Sequence, residues 1–345
     1  MTQTVSSPAP AAHEGETGQP AGTRGRRAFP LPAREFRSVW IATAALFAVS
    51  LVVAPNSLSA TSFAAMLSFA GVLMVVAAGQ TIIVQQRGLD LAIPGAITLC
   101  SMVLPIYLTR SGSSLGQALV VTLVVGACIG VVNGLLVTRI GVTPLIATLA
   151  MNSILIGALL TYSKGLPSAS APADLVDFVS TKVLGVPVGF LIAFAYVLVL
   201  ATVLSRTVVG RRFTAVGSSP AVARAAGINV DAYVVGAYVV GGVSSSIGAV
   251  LLLGYVESAT VSLGNEYLFT SIAAVVIGGT AFSGGRGSVV ATAVAAVFLT
   301  QLVQMLLASG APTSVQLLAQ ALAIAVAVAI RTLAPVLRSA LSSRS

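Results

Sequence analysis

The sequence predicts an all-α, polytopic integral membrane protein with about ten transmembrane helices and both termini in the cytoplasm. The first observation is composition, since 57% of the 345 residues are hydrophobic and only 8% are charged. Soluble domains carry roughly a quarter charged residues, so this chain has too few to cover a water-facing surface. The second is a series of apolar runs near the length that spans a bilayer. The third is an uneven distribution of arginine.

Apolar runs between charges and Gly, Pro or Ser breaks define the candidate spans. They are residues 38–54, 58–84, 90–108, 115–138, 143–163, 186–205, 231–254, 268–283, 288–308 and 313–331. The alternation of period two that transmembrane strands show is not visible. Pro55, Asn56 and Ser57 separate the first two runs and predict a tight turn at a membrane face.

Arginine sets the predicted orientation, because Lys and Arg in short loops accumulate on the cytoplasmic side. With the N-terminus inside, Arg110, Lys164 and Lys182 lie outside and every other basic residue lies in the cytoplasm. The formal charge of +9 then reflects topology and contact with anionic membrane lipid. No basic patch interleaved with aromatic residues accompanies it, so nucleic acid is not an expected partner.

The composition divides the chain into three parts. Residues 1–37 predict a disordered cytoplasmic tail, because they are rich in Ala, Pro, Gly, Ser and Thr and poor in large apolar groups. Residues 38–333 form the transmembrane domain, and residues 334–345 a short cytoplasmic C-terminal tail.

Neither a metal site nor a cofactor is predicted. His13 is the only histidine and lies in the tail. Cys100 and Cys128 lie inside candidate spans, where their spacing fits neither a metal site nor a disulfide framework, so we expect them to pack as small apolar groups.

No motif for catalysis or nucleotide binding is present. The chain lacks G-x-x-x-x-G-K-[ST], H-E-x-x-H and G-x-S-x-G, so we expect no catalytic residue and no ATP site. The acidic residues lie in the tail, in loops or at helix starts, and Asp90 is expected to act as a cap at the start of the third span. Ion-coupled carriers keep charges inside the bilayer, so energy is expected to come from a partner.

The segment GRRFTAVGSSPAVARAAGINV, residues 210–230, is the longest stretch between spans on the predicted cytoplasmic side. Ser218, Ser219 and Pro220 followed by an Ala-rich run and Gly227 predict a helix cap, a proline in the first turn, a short helix and a glycine stop. A docking element and a solvated loop with orienting arginines both fit this pattern.

Four segments resemble one family, the sugar-type ABC transporter permeases that import ribose, xylose and galactose. The resemblance is carried by Gly210, Arg211, Ala215–Gly217, Ala221, Arg224 and Gly227–Val230; by Ile272–Thr280 with Gly278, Gly279 and Thr280, followed by Gly284, Gly285, Arg286 and Gly287; by Asn133–Thr138; and by Gly88–Leu91 with Asp90. These segments cover roughly residues 85–290. Ala92, Ile93, Pro94 and Gly95 depart from the Ser and Gly that usually follow Asp-Leu in the family.

The resemblance implies a permease subunit in the plasma membrane, in a complex with several partners. Residues 206–230 would be the cytoplasmic coupling loop, which includes Pro220, and two ATPase subunits would bind there. A second permease subunit would complete the pathway, and an extracytoplasmic binding protein would deliver a monosaccharide. The family relation extends to branched-chain amino acid permeases, so amino acids or nucleosides are alternative cargoes. An ion-coupled carrier and a non-transporting receptor are further alternatives.

For two groups of residues the sequence leaves two interpretations open. The paired glycines at 278–279 and 284–285 weaken a helix, so they predict either a tight turn between two spans or a gate. Polar residues within spans could line the pathway or bond neighbouring helices. They are Gln80, Asn133, Asn152, Gln301 and Gln304.

Overall fold

The apolar sequence folds almost entirely into helices, because a backbone in hydrocarbon must satisfy its hydrogen bonds within its own segment. The computed structural model describes residues 36–166 and 168–342. His13 and residues 1–35 of the predicted N-terminal tail lie outside the described residues, as do residues 343–345. The helices are α1 (Arg37–Val53), α2 (Ala60–Gln85), α3 (Ile93–Ser111), α4 (Leu115–Leu135), α5 (Pro144–Ser163), α6 (Ala173–Ser180), α7 (Val188–Arg206), α8 (Val208–Ser218), α9 (Pro220–Ala225), α10 (Val230–Val256), α11 (Glu266–Gly278), α12 (Val289–Ala308) and α13 (Thr313–Ser342).

Seven helices are long and apolar enough to cross a membrane. They are α2, α3, α4 with the π turn Leu136–Ile140 that extends it, α5, α7, α10 and α12. The other three predicted spans, 38–54, 268–283 and 313–331, coincide with the shorter apolar helices α1, α11 and Thr313–Val326 of α13. Helix α13 continues to Ser342, so the described part of the predicted C-terminal tail is helical.

Two further predicted spans also have different boundaries in the structure. Helix α3 begins at Ile93 and not at residue 90, because residues 88–92 have no regular structure. Helix α11 ends at Gly278, five residues before the predicted boundary at 283. Gly279 there adopts φ of 100°, a left-handed conformation that stops a helix.

Helices α2 and α10 form the centre of the bundle. Helix α2 packs against α7, α10, α11 and α12, while α10 also packs against α3 and α4. Glycines bring α4 and α10 close together, since a Cβ on Gly242 would lie 2.0 Å from the Gly126 carbonyl oxygen. Small residues at such crossings let membrane helices gain van der Waals contact and backbone proximity.

Two short antiparallel sheets lie at the end of α10 that is remote from α9. Strand β1 (Ser168–Ser170) pairs with β4 (Ser258–Thr260), and Ala169 faces Ala259 in the register. Strand β2 (Lys182–Val183) pairs with β3 (Val186–Pro187) as a hairpin. The β1–β4 pair therefore joins the loop after α5 to the loop after α10.

Candidate functional site

The predicted short helix of the coupling segment, residues 206–230, is α9. It begins at Pro220, and Ser219 precedes it in the N-cap position without a side-chain hydrogen bond to the helix. Proline suits the first helical position because its fixed φ is already helical and its missing N–H would have no intrahelical partner. The local sequence therefore determines where α9 starts.

A glycine ends α9 and turns the chain toward α10. Gly227 has φ of 75°, which residues with a Cβ rarely adopt. Its N–H donates to the Arg224 carbonyl oxygen at 3.0 Å, and the Ile228 N–H donates to the Ala223 carbonyl oxygen at 3.0 Å. These bonds satisfy carbonyl groups that the helix end would otherwise leave without partners.

Helix α9 presents small side chains and one cation to solvent. Ala221, Arg224 and Ala225 are exposed, whereas Ala223 is buried against the start of α10. The Arg224 Nη2 atom lies 3.4 Å from the Asp231 Oδ1 atom, and both side chains are accessible to solvent. A guanidinium has five N–H donors, so this single contact leaves Arg224 able to bind a second acceptor.

Helix α8 precedes α9 and is amphipathic. Thr207 caps it, since its hydroxyl accepts a hydrogen bond from the Gly210 N–H at 3.1 Å. Gly210 is required for the tight entry into the helix, because a Cβ there would lie 2.1 Å from the Leu204 carbonyl oxygen. Phe213 is buried while Arg211 is exposed, so α8 lies with one face on the bundle.

Arg87 joins the end of α2 to the end of α8. Its Nε atom donates to the Gly217 carbonyl oxygen at 2.9 Å, and its Nη2 atom donates to the Ser218 carbonyl oxygen at 2.5 Å. The neighbouring Gln86 Nε2 atom donates to the Phe213 carbonyl oxygen at 2.8 Å. Charge-assisted bonds to carbonyls at a helix C-terminus also complement the negative end of the helix dipole.

The same end of α2 also binds the loop between α11 and α12. The Gly285 N–H donates to the Gln85 carbonyl oxygen at 2.8 Å. Gly217 lies between the two, because a Cβ there would be 2.1 Å from the Gln85 oxygen and 2.9 Å from the Gly285 nitrogen. The coupling segment, the end of α2 and the glycine-rich loop thus meet at one place, which we call the junction.

The glycine turn, residues 278–287, is a compact loop at the junction. Gly278 packs against α12, because a Cβ there would lie 2.6 Å from the Thr292 Cα atom. Gly284 and Gly285 have φ of 83° and 73°, so both need a residue without a side chain. The Ala281 N–H donates to the Arg286 carbonyl oxygen at 3.1 Å and closes the loop.

Two further residues of the glycine turn, Thr280 and Gly287, lie on its inner side. Thr280 is buried, and within the described part of the chain its hydroxyl has no hydrogen-bond partner. Gly287 gives room to the side chain of Gln85, since a Cβ there would lie 2.6 Å from the Gln85 Nε2 atom.

Asp90 lies in the connection between α2 and α3 and does not cap α3. The N-cap residue is Ala92, which makes no side-chain cap bond, and the Asp90 Oδ1 atom accepts a hydrogen bond from the Ala92 N–H at 2.8 Å. The prediction that Asp90 caps the start of the third span is therefore wrong, because the N-cap position is two residues further along the chain. Burial raises the pKa of Asp90 to about 6, and the Ala92 bond opposes that rise only partly.

Gly88 and the residues after Asp90 fix this connection against neighbouring helices. A Cβ on Gly88 would lie 2.7 Å from the Tyr238 hydroxyl of α10. The Leu91 N–H donates to the Thr148 hydroxyl at 3.0 Å. The Gly95 N–H donates to the Asn152 Oδ1 atom at 2.8 Å. Asn152, a predicted pathway residue, therefore bonds the first turn of α3.

The remaining predicted pathway residues have different surroundings. Gln80 and Asn133 are buried, and within the described residues neither side-chain amide has a hydrogen-bond partner. The Gln301 Nε2 atom donates to the Ser50 hydroxyl at 3.1 Å and so joins α12 to α1. Gln304 lines a cavity of about 270 Å³ near the start of α11. No described hydrogen bond joins any two of these four side chains.

The sequence reasoning missed the residues that hold the junction together. Arg87 was predicted to orient the chain, and Gln85 and Gln86 had no predicted role. One signal was available, since Arg87 stands beside Gly88 at the end of an apolar run, as Arg286 stands beside Gly287. The contact of Arg87 with Gly217 joins positions about 130 residues apart, and the contact of Gln85 with Gly285 joins positions about 200 residues apart. No local sequence pattern reveals such contacts.

Comparison with known families adds a second line of information. The family described as branched-chain amino acid transport system / permease component matches residues 62–330. The match contains the junction, all of α2 except its first two residues, and the other six helices that are long enough to span a membrane.

Individual relatives match over most of the chain. It is similar to the "Autoinducer 2 import system permease protein LsrD" of Escherichia coli (strain K12), Shigella flexneri and Escherichia coli O157:H7. Each is 34% identical over 248 residues, which cover 70% of this chain and 74% of the relative. No solved structure matches the chain.

Proposed function

Because the chain belongs to the family of permease components of branched-chain amino acid transport systems, we propose that an ATPase drives it through the coupling segment. The chain is the permease component of an ABC importer and not an enzyme, and it is a multi-pass protein of the inner membrane. An ATPase and a substrate-binding protein are its partners in import.

One observation carries the proposed coupling role, namely the contacts at the junction. Arg87 bonds the end of α8, and Gln85 bonds the glycine turn between α11 and α12. A displacement of α8 and α9 by a partner is therefore passed directly to α2 and to the α11–α12 connection. Helix α2 is central in the bundle, so the displacement reaches the helices that would line a pathway.

The exposed face of α9 supports docking of the ATPase at this point. Ala221 and Ala225 lie one turn apart and allow close approach of a partner surface, while Arg224 offers further hydrogen-bond donors. Gly210 and Gly217 position α8 on the bundle, Arg211 is exposed on α8, and Pro220 and Gly227 define the ends of α9. In this proposal α9 is the contact element and α8 its support.

The proposed topology has ten spans with both termini in the cytoplasm. Arginine is concentrated in the loops at the α9 end of the bundle, which supports a cytoplasmic position for that end. Helices α1, α11 and α13 complete the ten spans. Helix α11 is only 13 residues long, and the glycine turn and the loop after β4 extend its path. A second permease subunit would cover the exposed apolar helices and complete the pathway.

The proposed cargo is a neutral polyhydroxylated molecule such as a monosaccharide. In the seven long apolar helices, charged residues occur only in the terminal turns, so the described spans offer no ionic partner for the two charges of an amino acid. Gln80 and Asn133 provide buried amides without partners, which suit hydroxyl groups. Branched-chain amino acids, named in the family description, are the second candidate.

Substitutions in α9 test the coupling role. Ala221→Glu would bury an unpaired carboxylate at the contact, and Gly227→Val would force a β-branched residue into a left-handed conformation. We expect both variants to insert normally and to lose ATPase co-purification and uptake. Gly141→Val is the matched control, because Gly141 has φ of 78° and open space around it. Retention of the ATPase and of full uptake by both α9 variants would reject the docking role.

The cargo is tested separately with the cognate binding protein. Its thermal stability should rise with one or more monosaccharides and stay unchanged with leucine, isoleucine, valine and nucleosides. A rise with amino acids alone would replace the proposed cargo with the second candidate and would leave the coupling role unaffected.

A further inference from the structure

A polar cavity of about 610 Å³ lies beside the junction. It opens between the ends of α2, α7 and α8 and the start of α12. Its polar lining includes Gln85, Ser205, Thr214, Arg286 and Ser288. No acidic side chain is among the described residues that line it, so the electrostatic character of the cavity is positive.

The N-terminus of α12 supplies backbone donors to this cavity. The Ser288 hydroxyl accepts the Ala291 N–H at 3.2 Å, and the Ser288 carbonyl oxygen accepts the Thr292 N–H at 3.0 Å. Val289 and Val290, the first two helical residues, have no intrahelical acceptor for their N–H groups, and both line the cavity. Such a helix end attracts an anion through these donors and the helix dipole.

The side chain of Gln85 is an independent indication of a ligand. The residue is 4% exposed, yet its side chain makes no hydrogen bond to another described residue. Gly287 lies directly against the Nε2 atom, since a Cβ at that position would be 2.6 Å from it, and both residues line the cavity. Neither amide atom of Gln85 is among the described side-chain atoms that are fully buried without a partner, so the amide reaches the cavity, where a ligand can accept its N–H bonds.

We propose that this cavity binds a phosphate group carried by an anionic phospholipid of the membrane or by a free phosphate. The bound oxygens would accept hydrogen bonds from the start of α12 and from Gln85, and the exposed Arg286 would provide the countercharge. Because Gln85 and Gly285 also hold the junction, a bound phosphate would stabilise the contact between α2 and the glycine turn. The inference is independent of the cargo.

Thermal unfolding of the full-length protein in detergent tests the site. Dioleoylphosphatidylglycerol, dioleoylphosphatidylcholine and inorganic phosphate are added in separate series. We expect phosphatidylglycerol to raise the Tm by a few degrees and the zwitterionic lipid to raise it less. An equal rise with inorganic phosphate would identify free phosphate as the ligand, and no effect of inorganic phosphate would identify the lipid.

Variants distinguish this cavity from general lipid effects. Arg286→Gln removes the countercharge, and Gln85→Glu places a carboxylate of the same shape beside the phosphate, so both should lose the ligand-dependent rise in Tm. Arg286→Lys should keep part of it. Arg139→Gln, an exposed arginine away from the cavity, is the matched control and should keep it all. The proposal is overturned if no ligand raises the Tm or if Arg286→Gln and Gln85→Glu keep the full rise.

Discussion

Helices α2 and α7 are both strongly apolar, but they have opposite surroundings. In the most apolar 18-residue window, 94% of α2 is buried within the chain, whereas only 17% of α7 is buried. Hydropathy therefore identifies both as spans without showing which one lies at the centre of the bundle. The difference arises from the residues that neighbouring helices present to each of them.

The surroundings of α2 are built from small residues. Gly79 of α2 lies against Ser244 of α10, and a Cβ there would be 2.6 Å from the Ser244 Cβ atom. Gly248 of α10 accommodates Val76 in the same way, with a Cβ-to-Cγ2 distance of 2.5 Å. Close backbone approach of this kind is the main source of association between membrane helices, because lipid offers no hydrophobic driving force.

Helix α7 instead presents large apolar side chains outward. Leu191, Phe194, Leu198, Val199 and Val203 are all exposed within the described structure. In a membrane protein this surface contacts lipid or another subunit. The comparison thus separates the stability of the chain itself, which depends on α2, from contacts that form outside it.

The largest expected effect is at the contact between α2 and α10. Gly79→Leu introduces a side chain where the Gly241 backbone lies 3.1 Å from the added Cβ, so the helices must separate. We expect a loss of more than about 3 kcal/mol of stability and no monodisperse protein. Fluorescence-detected size-exclusion chromatography measures this. Gly157→Leu on α5 is the control, because nothing lies within 4 Å of its added Cβ. Equal behaviour of the two variants would contradict the assigned central position of α2.

A smaller effect is expected where α2 ends. Arg87→Ala removes the bonds to Gly217 and Ser218 but leaves the α2–α10 packing intact. Because the Arg87 side chain is partly exposed, we expect a loss of about 1–2 kcal/mol together with a several-fold fall in uptake. Arg212→Ala is the control, since Arg212 is exposed on α8 and has no described hydrogen bond or ion pair. Unchanged uptake by Arg87→Ala at normal abundance would show that the junction does not transmit coupling.

These two sites also show what the sequence could predict. The positions of most long helices follow from the need for about 20 apolar residues in a bilayer, and the limits of α9 follow from Pro220 and Gly227. The boundaries at Ile93 and Gly278 were mispredicted, because apolar residues continue through segments whose backbone is held by tertiary contacts. Helix α8 was not predicted as a helix because Val208, Val209 and Gly210 are poor helix formers.

The junction could be predicted only in part. Gly217 and Gly285 were both recognised from the resemblance, yet no local pattern shows that both lie against the Gln85 carbonyl group. Long-range contacts depend on how helices cross, and the crossing is set by small residues scattered over several helices. The same limit applies to Gln80 and Gln301, which have similar sequence surroundings but different hydrogen bonding.

The pH dependence of stability gives a third test. With a folded-state pKa of about 6, above the ordinary aspartate value of 3.8, Asp90 lowers stability as the pH rises from about 4 to 6, because the folded state then holds the proton more tightly than the unfolded state. Asp90→Asn should therefore be more stable than the wild type by an order of 1–3 kcal/mol at pH 7–8, with little difference below pH 4. Thermal unfolding of both proteins across this range measures it. A constant difference at all pH values would mean that the carboxylate is not buried as described.

The smallest expected effect is on the outer surface of α7, and it tests the opening comparison most directly. Val199→Ala removes two methyl groups from a side chain that is 59% exposed, so the chain by itself should lose less than about 0.5 kcal/mol. Val75→Ala removes the same atoms from a fully buried position on α2 and should cost about 1–3 kcal/mol. Thermal unfolding of the two variants and the wild type in one detergent compares the two losses of stability. Equal losses in the isolated chain would contradict the outward orientation of α7. A loss for Val199→Ala that occurs only in the assembled importer would place α7 at the contact with the second permease subunit, because the cavity would then be created between chains.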